Sequence, residues 1–461
     1  MNEYGDPIGP PRIPLLMSHI CAVLASAGIL IAAAPLAAQD PAPVAAIDTA
    51  LARRYFQEAE ALTARDAGRL WARSLAGPLL LVDRASRTAI ADRPDAEGQL
   101  RPMGSLFVGT LPASENVANT AFRWSGVLWA MVALPVPSDS LQRSVLLAHE
   151  LWHRVQDSLG FSMANPTNAH LGQREGRLWL RLEGRALQRA LTQEGATRAR
   201  TLRDAIVFRR ARRARFPGAD STERALELNE GLAEYSGIVL ATESPALRRE
   251  LVARRLAGLD TMANFERSFA YHTGPAYGLF LDEVAPAWRT SVSRHDDLSY
   301  LLGAALGADG ARRPAATRAA PYGYERVQRE ERNRAARQTA RLAELRRRFV
   351  AGPVLELPLA EMKMGFDPGR VESLDGVGSV YGSLRLTDRW GVLQCDGSGG
   401  LIATDFGRVI VPAPADIAGR RLTGPGWVLE LSAEWRIVPG KRSGDYTVTA
   451  SPAAPAPPPA P

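Results

Sequence analysis

One pentapeptide constrains this chain more than any other feature: His149-Glu150-Leu151-Trp152-His153, inside the run LLAHELWHRVQDSLG. Residues four apart share one face of an α-helix, so the two imidazoles can meet at a single ion only if this stretch is helical. Glu150 then sits beside that ion, where a carboxylate can polarise a water molecule. The chain has only 6 histidines in 461 residues, so the spacing is hard to reach by accident. Residues 140–148 repeat apolar side chains at the helical period, with Ser138 or Ser140 available as N-cap.

A catalytic zinc takes three protein ligands and keeps one position open for water. The metzincin continuation would place Gly three residues and His six residues after His153, but the chain has Gln156 and Leu159 there. Acidic candidates lie downstream. Residues 228–235, Leu-Asn-Glu-Gly-Leu-Ala-Glu-Tyr, have helical character and put Glu230 and Glu234 on one face. One of these carboxylates can bind metal while the other steadies a ligand. Glu183 is closer in sequence and is the rival third ligand. It is flanked by Leu180, Leu182, Ala186 and Leu187, and Arg181 or Arg185 could pair with it as a buried ion pair.

With H-E-x-x-H followed by Asn229-Glu230-Gly231-Leu232-Ala233-Glu234-Tyr235, the chain resembles the gluzincins. These zinc peptidases add a glutamate from a later helix, and their aminopeptidase-like members carry N-E-G-x-A-E-Y. The resemblance spans residues 120–282 and favours Glu230 over Glu183. It implies His149, His153 and Glu230 as Zn2+ ligands, Glu150 as general base, and Glu234 as the carboxylate that orients a ligating imidazole. Tyr271 with Gly274 matches the Tyr-x-x-Gly of that group, whose hydroxyl stabilises the oxyanion; His272 and Tyr277 are neighbouring substitutes for the donor. The Gly-x-Met-Glu-Asn stretch that holds a substrate amino terminus in the aminopeptidases is missing. Residues 124–135 read WSGVLWAMVALP instead, without an acid. This β-prone run fits either an edge strand that aligns an extended peptide or a buried central strand.

The expected fold class is α+β: a zincin-like catalytic domain, made of a small mixed β-sheet and a helical subdomain, followed by a small C-terminal β-domain. Residues 1–38 read as a signal peptide, because residues 15–38 are almost uninterruptedly apolar and end in small residues. Residues 40–160 carry a helix over 47–75, strands at 78–83, 88–91, 106–109 and 124–134, and the H-E-x-x-H helix. Residues 161–350 are the helical subdomain with the third ligand. A composition shift at Gly352-Pro353 opens a β-domain over 353–450, and residues 451–461 form a Pro/Ala-rich tail.

The net charge of +7 comes almost entirely from arginine, Lys363 and Lys441 being the only lysines. No arginine cluster is interleaved with aromatics as a nucleic-acid platform requires, so residues 209–215 and 346–348 read as solvated helix faces. Asp396-Gly397-Ser398-Gly399-Gly400 reads as a turn rather than an anion cradle. Removal of the signal takes away Cys21 and leaves Cys395, expected to be a buried small residue. The expected partner is a peptide or protein substrate of an exported enzyme, with no nucleic acid, and with a membrane only if the signal segment is retained. An inactive zincin-fold envelope binder and a zinc hydrolase of a non-peptide bond are the competing readings.

Overall fold

The computed structural model of the protein describes residues 48–112, 114–307, 314–367 and 370–451. The expected signal segment and all but Ser451 of the Pro/Ala-rich tail lie outside the described residues. The fold is mixed α+β, with a six-stranded sheet, a helical region and a C-terminal β-region.

Strands Leu79–Asp83 (β1), Thr88–Ala91 (β2), Arg101–Met103 (β3), Leu106–Thr110 (β4), Thr120–Trp124 (β5) and Val127–Leu134 (β6) form one sheet in the order β3-β4-β2-β1-β6-β5. β1 and β6 run parallel, with Leu80 opposite Met131 and Leu81 opposite Val132. Side chains alternate between faces at period two. Leu79, Leu81, Ala130 and Val132 thus join the core shared with the helices, while Leu80, Val82, Trp129 and Met131 fill a second core on the other face. Burial on both faces is why β1 is apolar without alternation. The run at 124–134, expected as one strand, is broken by a tight turn. Ser125 and Gly126 take φ of 47° and 76°, the left-handed geometry of a two-residue hairpin. β6 is therefore an interior strand, and β5 is the edge.

The helical region includes Thr49–Asp66 (α1), Ser140–Gln156 (α2), Arg174–Ala190 (α3), Gly195–Arg213 (α4), Ala219–Leu226 (α5), Leu232–Ala241 (α6), Pro245–Gly258 (α7) and Ala270–Val284 (α8). α1 is shorter than expected, because Ala67 adopts the left-handed conformation and returns its N–H to the Thr63 carbonyl. The N-cap of α2 is Asp139, whose carboxylate accepts the Gln142 N–H at 2.8 Å, and neither Ser138 nor Ser140 fills that role. α2 is anchored by an aromatic cluster in which Trp71 contacts Trp152, Phe161, Tyr235 and Trp288. Trp71 Nε1 also donates to Ser236 Oγ of α6 at 2.8 Å, so the same indole holds both helices.

The arginine-rich stretch of α4 is not a solvated face. Arg209 and Arg212 are fully buried, where they hold three glutamates: Glu183, Glu223 and Glu227. Each glutamate comes from another segment, so only the assembled fold shows why these arginines face inward. Arg346 and Arg347, by contrast, are exposed at the end of the helix Tyr324–Arg346.

Beyond Pro353 the described elements are strands, with their own core around Leu355, Leu386, Trp390, Leu393 and Leu429. Asp396-Gly397-Ser398-Gly399-Gly400 is no end turn: it lies within the strand Gly391–Ala403, where the register slips opposite Tyr381 and Ser383. Gly397 and Gly399 take φ of 70° and 79° there, which makes this a glycine bulge. Cys395 is buried, and burial pushes its thiol pKa up to about 12, leaving it inert as a nucleophile. No described helix is long and apolar enough to cross a membrane.

Candidate metal centre

α2 carries His149, Glu150 and His153 into the interior, each at most 6% exposed. The two imidazole Nε2 atoms are 3.0 Å apart, and Glu230 Oε2 is 3.4 Å from each. Ligands at ordinary zinc distances around a tetrahedral ion stand roughly 3.3 Å from one another. The triangle matches that spacing. Its chemistry matches as well, because each histidine presents its other ring nitrogen to an acceptor. His149 Nδ1 faces Glu234 Oε2 at 2.8 Å, and His153 Nδ1 faces Gln156 Oε1 at 2.7 Å. Each Nδ1 thus faces a side-chain oxygen, which leaves both Nε2 atoms turned toward one point beside a carboxylate oxygen. Such an arrangement repels itself unless a positive charge sits within it.

The charge count points the same way. Among the described residues, Glu150, Glu230 and Glu234 are opposed by one guanidinium in direct contact, that of Arg255 on Glu234, so a divalent ion would balance the other two carboxylates when ionised. Without an ion a proton takes its place. Burial pulls the His149 pKa down, but hydrogen bonds to Glu230 and Glu234 and the Glu150 charge outweigh it and push the value to about 10. Burial likewise works against the charge on Glu230, and its contacts with His149 and His153 hold the carboxyl far below its usual range.

Glu230 reaches the histidines from a π-helical turn, Glu227–Gly231, inserted between α5 and α6. Wide turns of this kind are rare and cluster at functional sites. The turn is pinned from below by Glu227, which accepts Arg209 Nη1 and Nη2 at 2.6 and 2.7 Å and Thr273 Oγ1 at 2.5 Å. It is pinned from the side by a glycine contact. A Cβ on Gly274 would come within 2.4 Å of the Gly231 Cα, so only glycine lets α8 approach this closely. One turn earlier on α8, Tyr271 donates its hydroxyl to Glu230 Oε2 at 2.6 Å and stacks on the His149 ring.

A ring of amides closes the site. Gln156 Nε2 donates to Asn229 Oδ1 at 2.9 Å and to the Ser162 carbonyl at 2.7 Å, and Asn229 Nδ2 donates to Glu230 Oε1 at 3.1 Å. His153 and Glu230 are thus coupled through two side chains that sequence reasoning gave no role. Gln156 carried a signal, since positions 149, 153 and 156 lie on one helical face. Arg255, on α7, carried none.

Glu150 differs from its neighbours. It is 3% exposed and its Oε2 has no hydrogen-bond partner among the described residues. Burial, partly offset by the two histidines, raises its pKa. It lines a cavity of about 580 Å³ together with both histidines, Glu230 and Tyr271. Asn119 and Thr120, at the start of the edge strand β5, line the same cavity.

Comparison with protein-family models, curated proteins and solved structures returns no match. The rival ligand Glu183 is committed elsewhere, receiving Arg209 Nε at 2.7 Å, Arg212 Nη1 at 2.5 Å and the Tyr277 hydroxyl at 2.8 Å. Its partners are not Arg181 and Arg185, which instead hold Glu331, Glu330 and Asp260. Tyr277 is consumed by Glu183, and His272 Nδ1 faces the Arg255 carbonyl at 2.7 Å; neither lines the cavity. Of the three candidate hydroxyl or imidazole donors, Tyr271 is the one the fold brings to the site.

Proposed function

We propose that this chain is an exported zinc-dependent peptidase of the gluzincin kind. The observation that carries the reading is the convergence of three donor atoms, from His149, His153 and Glu230, at the mutual spacing a tetrahedral ion requires, beside a buried carboxylate oxygen without a partner. Zinc bound there would supply Lewis acidity, making water a nucleophile near neutral pH and polarising a carbonyl.

The chain's own groups provide the remaining chemistry. Glu150 accepts the proton of the attacking water and returns it to the leaving amine, and its raised pKa brings it closer to the range in which a carboxylate can do both. Glu234 and Gln156 hold the imidazoles in one tautomer and one orientation. Tyr271 supplies a hydroxyl donor to the developing oxyanion once its proton is no longer required by Glu230. The edge of β5, with Thr120 on the cavity wall, offers unpaired backbone groups on which an extended peptide can align.

The test is zinc content and turnover of a quenched-peptide library by the purified chain and by Glu150→Gln. The expected outcome is one zinc per chain in both and cleavage by the first alone. Equal turnover by the two proteins would refute the role of Glu150, and zinc without turnover would favour a binding protein.

A further inference from the structure

The cavity wall holds three carboxylates, and each has a place in the centre already described. Glu230 is taken by both histidines, Asn229 and Tyr271; Glu234 by His149 and Arg255; Glu150 faces the donor triangle. No acid among the described lining residues is free to hold a substrate amino group. The wall does contain one guanidinium, Arg267. It stands in the turn that leads into α8, one turn before Tyr271, and its side chain is exposed. Arg267 has no hydrogen bond or ion pair among the described residues.

This isolation is unusual for the neighbourhood. Arg255 is spent on Glu234, Arg177 and Arg181 on Glu331, and Arg209 and Arg212 on the buried glutamates. The rest of the lining is mainly small or polar: Asn116, Asn119, Thr120 and Asn165, with Leu146 and Met163 as the larger apolar side chains. Apolar side chains are the minority of this lining. It offers amides for a peptide backbone and one planar cation able to grip a carboxylate through two parallel N–H groups.

We infer that Arg267 selects substrates bearing a carboxylate next to the bond that is cleaved, either an acidic side chain or a free C-terminus. This rests on the hydrolase reading above, and the two can fail separately. Capture of a substrate amino terminus fits this lining less well, because no acid among its described residues is spare.

The experiment uses the full chain and quenched peptides that differ only in Glu, Gln or Lys at each position flanking the cleaved bond, each made with a free and an amidated C-terminus. Glu or a free C-terminus is expected to raise kcat/KM by about tenfold or more over its neutral counterpart, mainly through KM, as a charge-assisted hydrogen-bond pair would. Arg267→Ala should bring that ratio close to one, and Arg267→Glu should turn the preference toward Lys. A reversed preference cannot result from misfolding. Binding of the same peptides, uncut, to the Glu150→Gln protein gives a second readout that needs no turnover. Acid-selective binding that depends on Arg267 without hydrolysis in the wild type would sink the peptidase reading and leave the carboxylate site standing. Equal handling of Glu and Gln and of free and amidated ends, or an acid preference that survives Arg267→Ala, would overturn the inference.

Discussion

Two clusters of buried charge share the turn Glu227–Gly231, built from similar residues and arranged to opposite ends. In the first, Arg209 and Arg212 hold Glu183, Glu223 and Glu227 through contacts of 2.5–2.8 Å, and every guanidinium nitrogen of the two arginines is used. In the second, His149, His153 and Glu230 turn one donor atom each toward a single point, and Glu150 Oε2 has no partner among the described residues. The first cluster is closed, and the second opens into a cavity. Charge satisfied within the protein braces the fold. Charge left unsatisfied, at a place water or an ion can reach, is available for chemistry.

The contrast can be broken at its chemical end first. Glu150→Gln is expected to reduce kcat on a cleavable peptide by about 10²–10⁴-fold, the usual contribution of a general base. Its melting temperature should not fall, because the buried Oε2 has no partner among the described residues. At the structural end, Arg212→Ala strips a guanidinium from two buried carboxylates and should cost about 3–5 kcal/mol in denaturant unfolding. A stable Arg212→Ala protein would show that the two clusters are less different than their contacts suggest.

The α2 helix and the Glu230 segment were legible in the sequence because helical periodicity is local: His149, His153, Glu230 and Glu234 announce themselves by intervals of four. The break between β5 and β6 was not, since Ser125 must adopt a positive φ that nothing in its side chain demands. Nor was the burial of Arg209 and Arg212. Their partners lie on α3 and around α5, and a run of arginines looks the same from sequence whether it meets solvent or glutamate. The roles of Asn229 and Gln156 fell between these cases, visible as positions on a face but not as a hydrogen-bonded ring.

That ring gives a sharper test of the second cluster. Gln156→Ala frees the His153 Nδ1 and unlinks Asn229, and zinc affinity measured by chelator competition should fall about 10–100-fold. Gly274→Ala should cost about 1–3 kcal/mol, as overpacking does, by pushing α8 away from Gly231. Because Tyr271 rides on α8, turnover should drop with it. The smallest effect expected is the pH dependence contributed by the closed cluster. Burial alone would raise the Glu223 pKa, but Arg212, His170 and Arg213 hold it well below the usual carboxylate range. A carboxyl depressed in the folded state stabilises the protein above its unfolded pKa and loses that contribution as pH falls through the folded value. Thermal melts should therefore be flat in this respect near neutrality and decline below about pH 4, and Glu223→Gln should flatten that acid limb.

Metal stoichiometry tests the central claim most directly. Purified chain dialysed against zinc and then against buffer should retain one ion per molecule, lose it in His149→Ala, His153→Ala and Glu230→Ala, and keep it in Glu150→Gln and Glu183→Gln. Zinc retained after loss of any one of the first three side chains, or absent from the unaltered protein, would contradict the account.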